Sequence, residues 1–215
     1  MKITKFVHSC LLVEMPAPVN RTALFDPGVM SEAALDVDAL EFLDNIIITH
    51  SHVDHMSLPL LQKLRAKFPS AQITAPPEAR MLLAEQGIES VSEETPGIAF
   101  FASPHADVSP LFPTPQQAGV HYLDTLTNPG DGYDFSETKA ILALPITAPW
   151  GATTDAVRTA LKLKPQYIIP IHDWHWSDDA RTQTYDNLEP FFADHDIKFI
   201  KPITGQPFVI DISIN

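Results

Sequence analysis

The chain has 215 residues, 45% of them hydrophobic and 19% charged, which suits a folded unit with a real core and excludes a disordered chain. Fourteen Lys and Arg stand against 27 Asp and Glu, a net charge of −13, and so acidic a surface excludes a generic nucleic-acid coat. A single cysteine, Cys10, excludes an intrachain disulfide and fits a reducing compartment. No apolar run approaches the roughly 18 residues of a membrane span, and the first residues lack a signal-peptide stretch, so a soluble, cytoplasmic chain is expected.

In chain order, the pattern predicts a strand over 3–13 and a second over 23–25, joined as a hairpin through the proline-bearing segment 15–21. Asp26-Pro27-Gly28 stops the second strand, and 45–49 is a β-branched run suited to a buried strand. A helix over 57–68 has Leu60, Leu61 and Leu64 on one face, Ser57 as cap, Pro59 in its first turn and Pro69 as its end. There follow a strand over 71–75 and a helix over 77–86 stopped by Gly87. Strands are then expected at 98–102, 119–126 and 139–146. A helix over 153–163 begins at Thr153 or Thr154, and a strand runs over 166–171. A helix over 182–195 and strands at 198–203 and 208–212 close the chain. The alternation implies a layered α/β architecture with helices outside one or two sheets, in one domain over 1–215. Twenty prolines against eight glycines favour short elements joined by stiff turns. Glu89, Glu93 and Glu94 are expected in a solvated loop.

The segment Thr49-His50-Ser51-His52-Val53-Asp54-His55 carries the chemistry. Nine histidines are spread over the chain, yet three of them and an aspartate fall within six positions, directly after the apolar strand. Imidazole and carboxylate suit zinc and related divalent ions, and a loop at a strand end can turn successive side chains inward. The bland alternative, a polar loop that happens to be His-rich, is improbable at this density.

This motif, His50-X-His52-X-Asp54-His55 after an apolar strand, resembles the metal motif of the metallo-β-lactamase fold superfamily. Asp26-Pro27-Gly28 resembles the turn after that family's opening strands. His105 lies 50 residues past His55, about where the family supplies its third histidine, and Pro129-Gly130-Asp131 is similar to its Gly-Asp segment. Pro145 to Trp150, then a helix, then Ile169-Pro170-Ile171-His172-Asp173, resembles the L-ascorbate-6-phosphate lactonase-like branch. The resemblance implies a four-layer αββα sandwich holding two divalent metal ions, zinc first, with manganese, iron or nickel as alternatives. It implies His50, His52 and His105 on one ion, Asp54, His55 and His172 on the other, and Asp131 between them. It further implies a metallo-hydrolase in which metal-activated hydroxide attacks a small ester, lactone or phosphoester. Metal binding lowers the pKa of water from about 15.7 to about 7, so no serine or cysteine nucleophile is needed. Asp54 would then orient the hydroxide as the catalytic carboxylate.

Several positions have rivals. Asp124 and Asp134 compete with Asp131, which is preferred because Gly130 permits a sharp turn. His175 competes with His172 and would otherwise line the pocket with Trp174 and Trp176, whose ordinary reading is packing. His8, in His8-Ser9-Cys10, is either a site residue or a strand histidine with a satisfied hydrogen bond. Asp26 is either a partner for a metal-bound imidazole or the start of a turn. Cys10 reads as a small buried hydrophobe, and His121 and His195 as structural or surface residues.

The expected partner is a small-molecule substrate, with no nucleic acid and no membrane; a homo-oligomer is compatible with the sequence. A nuclease or phosphodiesterase of the same fold is disfavoured by the net charge of −13 and the lack of a basic cluster. A redox diiron protein is disfavoured because such relatives typically carry glutamate where this chain has His52. A non-catalytic binding protein that keeps the metal site is the third alternative.

Overall fold

The computed structural model describes residues 1–91 and 94–212. In chain order, its first strands are β1 (Lys2–Lys5), β2 (Leu11–Glu14), β3 (Thr22–Phe25) and β4 (Asn45–Ile47). Helix α1 (Leu58–Lys67), β5 (Gln72–Thr74) and α2 (Pro77–Glu85) follow. Next come β6 (Glu94–Thr95), β7 (Ile98–Phe101), β8 (Gly119–Tyr122), β9 (Leu126–Asn128) and β10 (Ile141–Pro145). The last elements are α3 (Thr153–Leu163), β11 (Tyr167–Ile171), α4 (Asp178–Ala193), β12 (Lys198–Phe199) and β13 (Pro207–Val209). Chain packing separates two compact units, one from the described residues of Met1–Glu93 and Pro202–Asn215, the other from Glu94–Lys201.

The first unit carries a six-stranded sheet in the order β13-β1-β2-β3-β4-β5. The expected hairpin is present as antiparallel β2 and β3, whereas β3, β4 and β5 run parallel. Helix α1 begins as its sequence predicts, with the Ser57 hydroxyl accepting from Leu60 N–H at 3.2 Å. Its buried face, Leu60, Leu61 and Leu64, packs with Leu24, Ile46, Ile48 and Ile73 into one core. Burial of each such side chain stabilises by about 1.5–3 kcal/mol relative to exposure.

The second unit carries a seven-stranded sheet in the order β12-β11-β10-β9-β8-β7-β6. In its parallel half, β9 to β12, α3 joins β10 to β11 and α4 joins β11 to β12, the long crossovers that parallel pairs require, while the loop 129–140 joins β9 to β10. Every residue of β10 is buried, so its apolar run needs no alternation. Leu142, Leu144 and Ile168 meet Ala156 and Ala160 of α3 and Tyr185 and Phe192 of α4.

Two expected strands are each divided. The span 3–13 becomes β1 and β2, antiparallel and joined through a turn in which His8 takes φ 64°. The span 119–126 becomes β8 and β9, with Leu123 and Asp124 at φ 47° and 50° and Thr125 N–H donating to Tyr122 O at 3.0 Å. Two consecutive positive φ angles make the tight hairpin turn usually announced by Asn-Gly, and here no glycine announces it. Helix α4 starts at Asp178, before the expected 182, because Ser177 caps it by accepting from Ala180 N–H. Helix α3 has Ala152 at its cap position; the Asp155 carboxylate, not a threonine, accepts from Ala152 N–H at 3.3 Å. Glu89 is exposed, and Glu93 lies outside the described residues, as does the side chain of Glu94. Among the described residues no helix is long and apolar enough to cross a membrane.

Candidate metal centre

In the first unit, the motif loop leaves β4 and turns tightly over 52–55, with His55 and Met56 N–H both donating to His52 O. The Asp-Pro-Gly segment after β3 cradles this turn. Val29 N–H donates to Val53 O and Ser57 N–H to Pro27 O, each at 2.9 Å. A β-carbon on Gly28 would lie 1.7 Å from Asp54 O, so only glycine permits the approach. The result is a compact set of imidazoles. Ring centroids of His50 lie 4.0 Å from His55 and 4.9 Å from His52, and His8 lies 5.0 Å from His55. His8, Asp54 and His55 each bring a ligand atom to within 4.8 Å of the others.

Asp26 organises this set. It is fully buried, at φ 43°, and its Oδ2 stands 3.1 Å from Nδ1 of His55. Thr49 gives its backbone N–H and its hydroxyl to the same carboxylate, at 2.8 Å and 3.0–3.1 Å. The Thr49 hydroxyl proton is thereby committed, so its oxygen accepts from Nδ1 of His50, 3.1 Å away. One carboxylate thus addresses His55 directly and His50 through Thr49. Asp26 both starts the turn and contacts the motif imidazoles.

In the second unit, β11 delivers His172 at its end, in a left-handed conformation with φ 64°. Its Nδ1 lies 2.9 Å from Thr147 O. A carbonyl only accepts, so Nδ1 carries the proton and Nε2 faces Asp131 Oδ2 at 2.9 Å. Nδ1 of His105 is likewise committed to Ala106 O at 2.6 Å, and its Nε2 stands 3.7 Å from the same Asp131 oxygen. All three side chains are buried.

Asp131 is held by a residue the sequence did not single out. The Gln117 amide oxygen accepts from Asp131 N–H at 2.7 Å, and its NH₂ donates to the carbonyls of Ser103 and Pro129. Gly130, at φ 67°, supplies the turn. Nothing in the local pattern marks Gln117, since its partners are distant in sequence. Trp150 flanks this cluster, its ring centroid 5.3 Å from His172 and 6.2 Å from His105. Tyr133 packs on Trp150 at 5.3 Å and donates its hydroxyl to Pro145 O.

The rivals fall elsewhere. Asp124 sits at the β8–β9 turn with Lys139 Nζ 2.7 Å away, and Asp134 is exposed. His175 is exposed between Trp174 and Trp176, while Trp176 packs on the α4 core. The segment after His172 is clamped by α4: Tyr185 donates its hydroxyl to Asp173 Oδ2 at 2.6 Å, and Arg181 Nε lies 2.9 Å from it. His121 stacks on Phe101 and bonds Thr127, and His195 caps its own helix by facing Phe191 O, both structural roles. Burial pushes the Cys10 thiol up to about 12, which keeps it an inert hydrophobe.

The donor chemistry fits a divalent metal. Nε2 of His172 and Oδ2 of Asp131 lie 2.9 Å apart in a buried setting, close enough for both to face one divalent cation. His105 adds a second imidazole to the same carboxylate. Histidines whose Nδ1 is tied to carbonyl, hydroxyl or carboxylate are oriented as metal ligands are.

A family model described as a beta-lactamase superfamily domain matches residues 2–172. The chain belongs to that superfamily. Among curated proteins, this superfamily member is 31% identical over 199 residues to "Protein Rv0786c" of Mycobacterium tuberculosis, covering 87% of this chain and 91% of the relative. Among solved structures it is similar to an isothiocyanate hydrolase from Delia radicum gut bacteria, with TM-score 0.67 and 18% identity over 98% of this chain and 99% of that one. It is also similar to the metallo-beta-lactamase fold protein YhfI from Bacillus subtilis, with TM-score 0.60 and 15% identity over 96% and 98%. At these identities the structural likeness establishes the fold, which is the α/β metallo-β-lactamase fold.

Proposed function

We propose that this chain is a metal-dependent hydrolase acting on a small ester-, lactone- or phosphoester-type substrate. The observation that carries the reading is the His172–Asp131 pair, a ring nitrogen and a carboxylate oxygen 2.9 Å apart, both buried, with the imidazole's other nitrogen already committed to Thr147 O. The proposed ligands are, within the first unit, His50, His52, Asp54 and His55 and, within the second unit taken by itself, His105, Asp131 and His172. The proposed load is two divalent ions, zinc first. Membership of the superfamily, and a fold neighbour named as a hydrolase, support this reading.

A divalent ion held by these groups supplies a Lewis acid and acidifies water at neutral pH. The protein's own residues do the rest. Asp26 and Thr49 fix the tautomer and direction of His50, and Asp26 packs against Nδ1 of His55. Thr147 and Ala106 carbonyls do the same for His172 and His105. Asp54, a quarter exposed on its turn, is the carboxylate placed to take and return a proton. Trp150 shields the His105 and His172 rings on one side and offers an apolar face to substrate.

Elemental analysis of the purified protein, followed by a hydrolysis screen of lactones, aryl esters and phosphodiesters, tests the proposal. Close to two metals per chain with turnover that chelation removes is expected. A chain that retains no metal after reconstitution with zinc or manganese overturns it.

A further inference from the structure

We propose that His8 is a positioning residue for Asp54, an inference that rests on Asp54 being a metal ligand. His8 comes from the turn between β1 and β2, far in sequence from the metal motif. Its ring is fully buried, its backbone is left-handed at φ 64°, and its Nε2 lies 3.2 Å from Asp54 Oδ2. Its ring also meets that of His55 edge-on at 5.0 Å.

Each feature argues against packing alone. A turn that needs positive φ is normally given to glycine, and a core position to an apolar side chain; His8 is neither. The turn is held in place independently of the imidazole. Phe6 N–H donates to Cys10 O at 2.9 Å, and the Ser31 hydroxyl donates to Val7 O at 2.8 Å. The ring is therefore delivered by a fixed backbone.

What it meets needs fixing. Asp54 stands on a turn with a quarter of its side chain exposed, and an aspartate there can rotate about its last bond. Contact of one oxygen with His8 sets that rotation and leaves the other oxygen to face a ligand. His8 acts through Asp54 and not on substrate.

The test compares His8→Gln, which keeps an N–H donor near the position of Nε2, with His8→Leu, which keeps bulk and removes the donor. Both are loaded with cobalt(II), and metal affinity by chelator competition and the visible spectrum are recorded beside thermal melts. The expected result is near-native affinity and spectrum for His8→Gln. For His8→Leu, at least one ion should be held about 10-fold or more weakly, with an altered cobalt band, as loss of an outer partner of a ligand typically produces. Native behaviour of His8→Leu overturns the proposal. So does a His8→Gln variant as defective as His8→Leu, which would assign direct coordination to the imidazole. Asp54→Asn is the control: if it too keeps the native metal load and spectrum, the reading of Asp54 as a ligand has failed, and the role of His8 with it. Should His8→Leu not fold, His8→Asn, whose amide is too short to reach Asp54, provides the same contrast.

Discussion

Gly28 meets the backbone of Asp54 so closely that a β-carbon at position 28 would lie 1.7 Å from the Asp54 carbonyl oxygen and 2.7 Å from His55 N. The obstacle is backbone, which no rotamer change can clear. Gly28→Ala must therefore push the motif turn away from the Asp-Pro-Gly segment. The expected cost is about 3 kcal/mol, at the upper end for overpacking. A denaturant titration measures it, and a native midpoint with native metal affinity would refute it.

Asp54→Ala removes the proposed ligand and proton carrier without opening the core, since Asp54 is partly exposed. Turnover should disappear and metal retention weaken, while the melting temperature of the metal-free protein stays close to native. Full activity in this variant would end the assigned role.

Thr49→Val keeps shape and removes the hydroxyl that links His50 to Asp26. The His50 ring then loses the group that fixes its tautomer. Metal affinity should fall by about 10–100-fold, the usual effect of removing an outer partner. Competition with a chromogenic chelator reads this directly, and an unchanged affinity would show that His50 is held by other means.

Tyr185 is buried against Asp173, and burial first, then the Asp173 charge, holds its phenol well above the usual 10.0. A folded-state pKa above the unfolded value means the contribution is complete below about pH 10 and is lost as pH rises beyond it. Melting temperature should therefore fall on an alkaline limb. Tyr185→Phe should flatten that limb and cost about 1.5–3 kcal/mol at neutral pH, as for a hydrogen bond to a charged group. Melts from pH 8 to 11 on both proteins test this; parallel curves would contradict it.

The metal motif was legible because its residues are contiguous and lie at the end of an apolar β-branched strand. Helix α1 was legible for a similar reason, with cap, first-turn proline and leucine stripe all local. What escaped depends on backbone handedness or distant partners. The turns at His8 and at Leu123–Asp124 are made by residues that do not announce positive φ, so two hairpins read as two long strands. Gln117 reaches Asp131 across 14 positions. His8 stayed ambiguous because its partner, Asp54, is brought to it by the sheet and not by sequence.

His8, Asp26 and His172 share one property: each is a non-glycine residue in left-handed backbone, at φ 64°, 43° and 64°. Glycine would relax all three backbones and delete an imidazole or a carboxylate each time. Relief of the backbone would be set against lost packing and hydrogen bonds, most of all at Asp26, whose carboxylate takes the N–H and hydroxyl of Thr49. Left-handed backbone thus marks three positions where the chain keeps a side chain at a conformational cost.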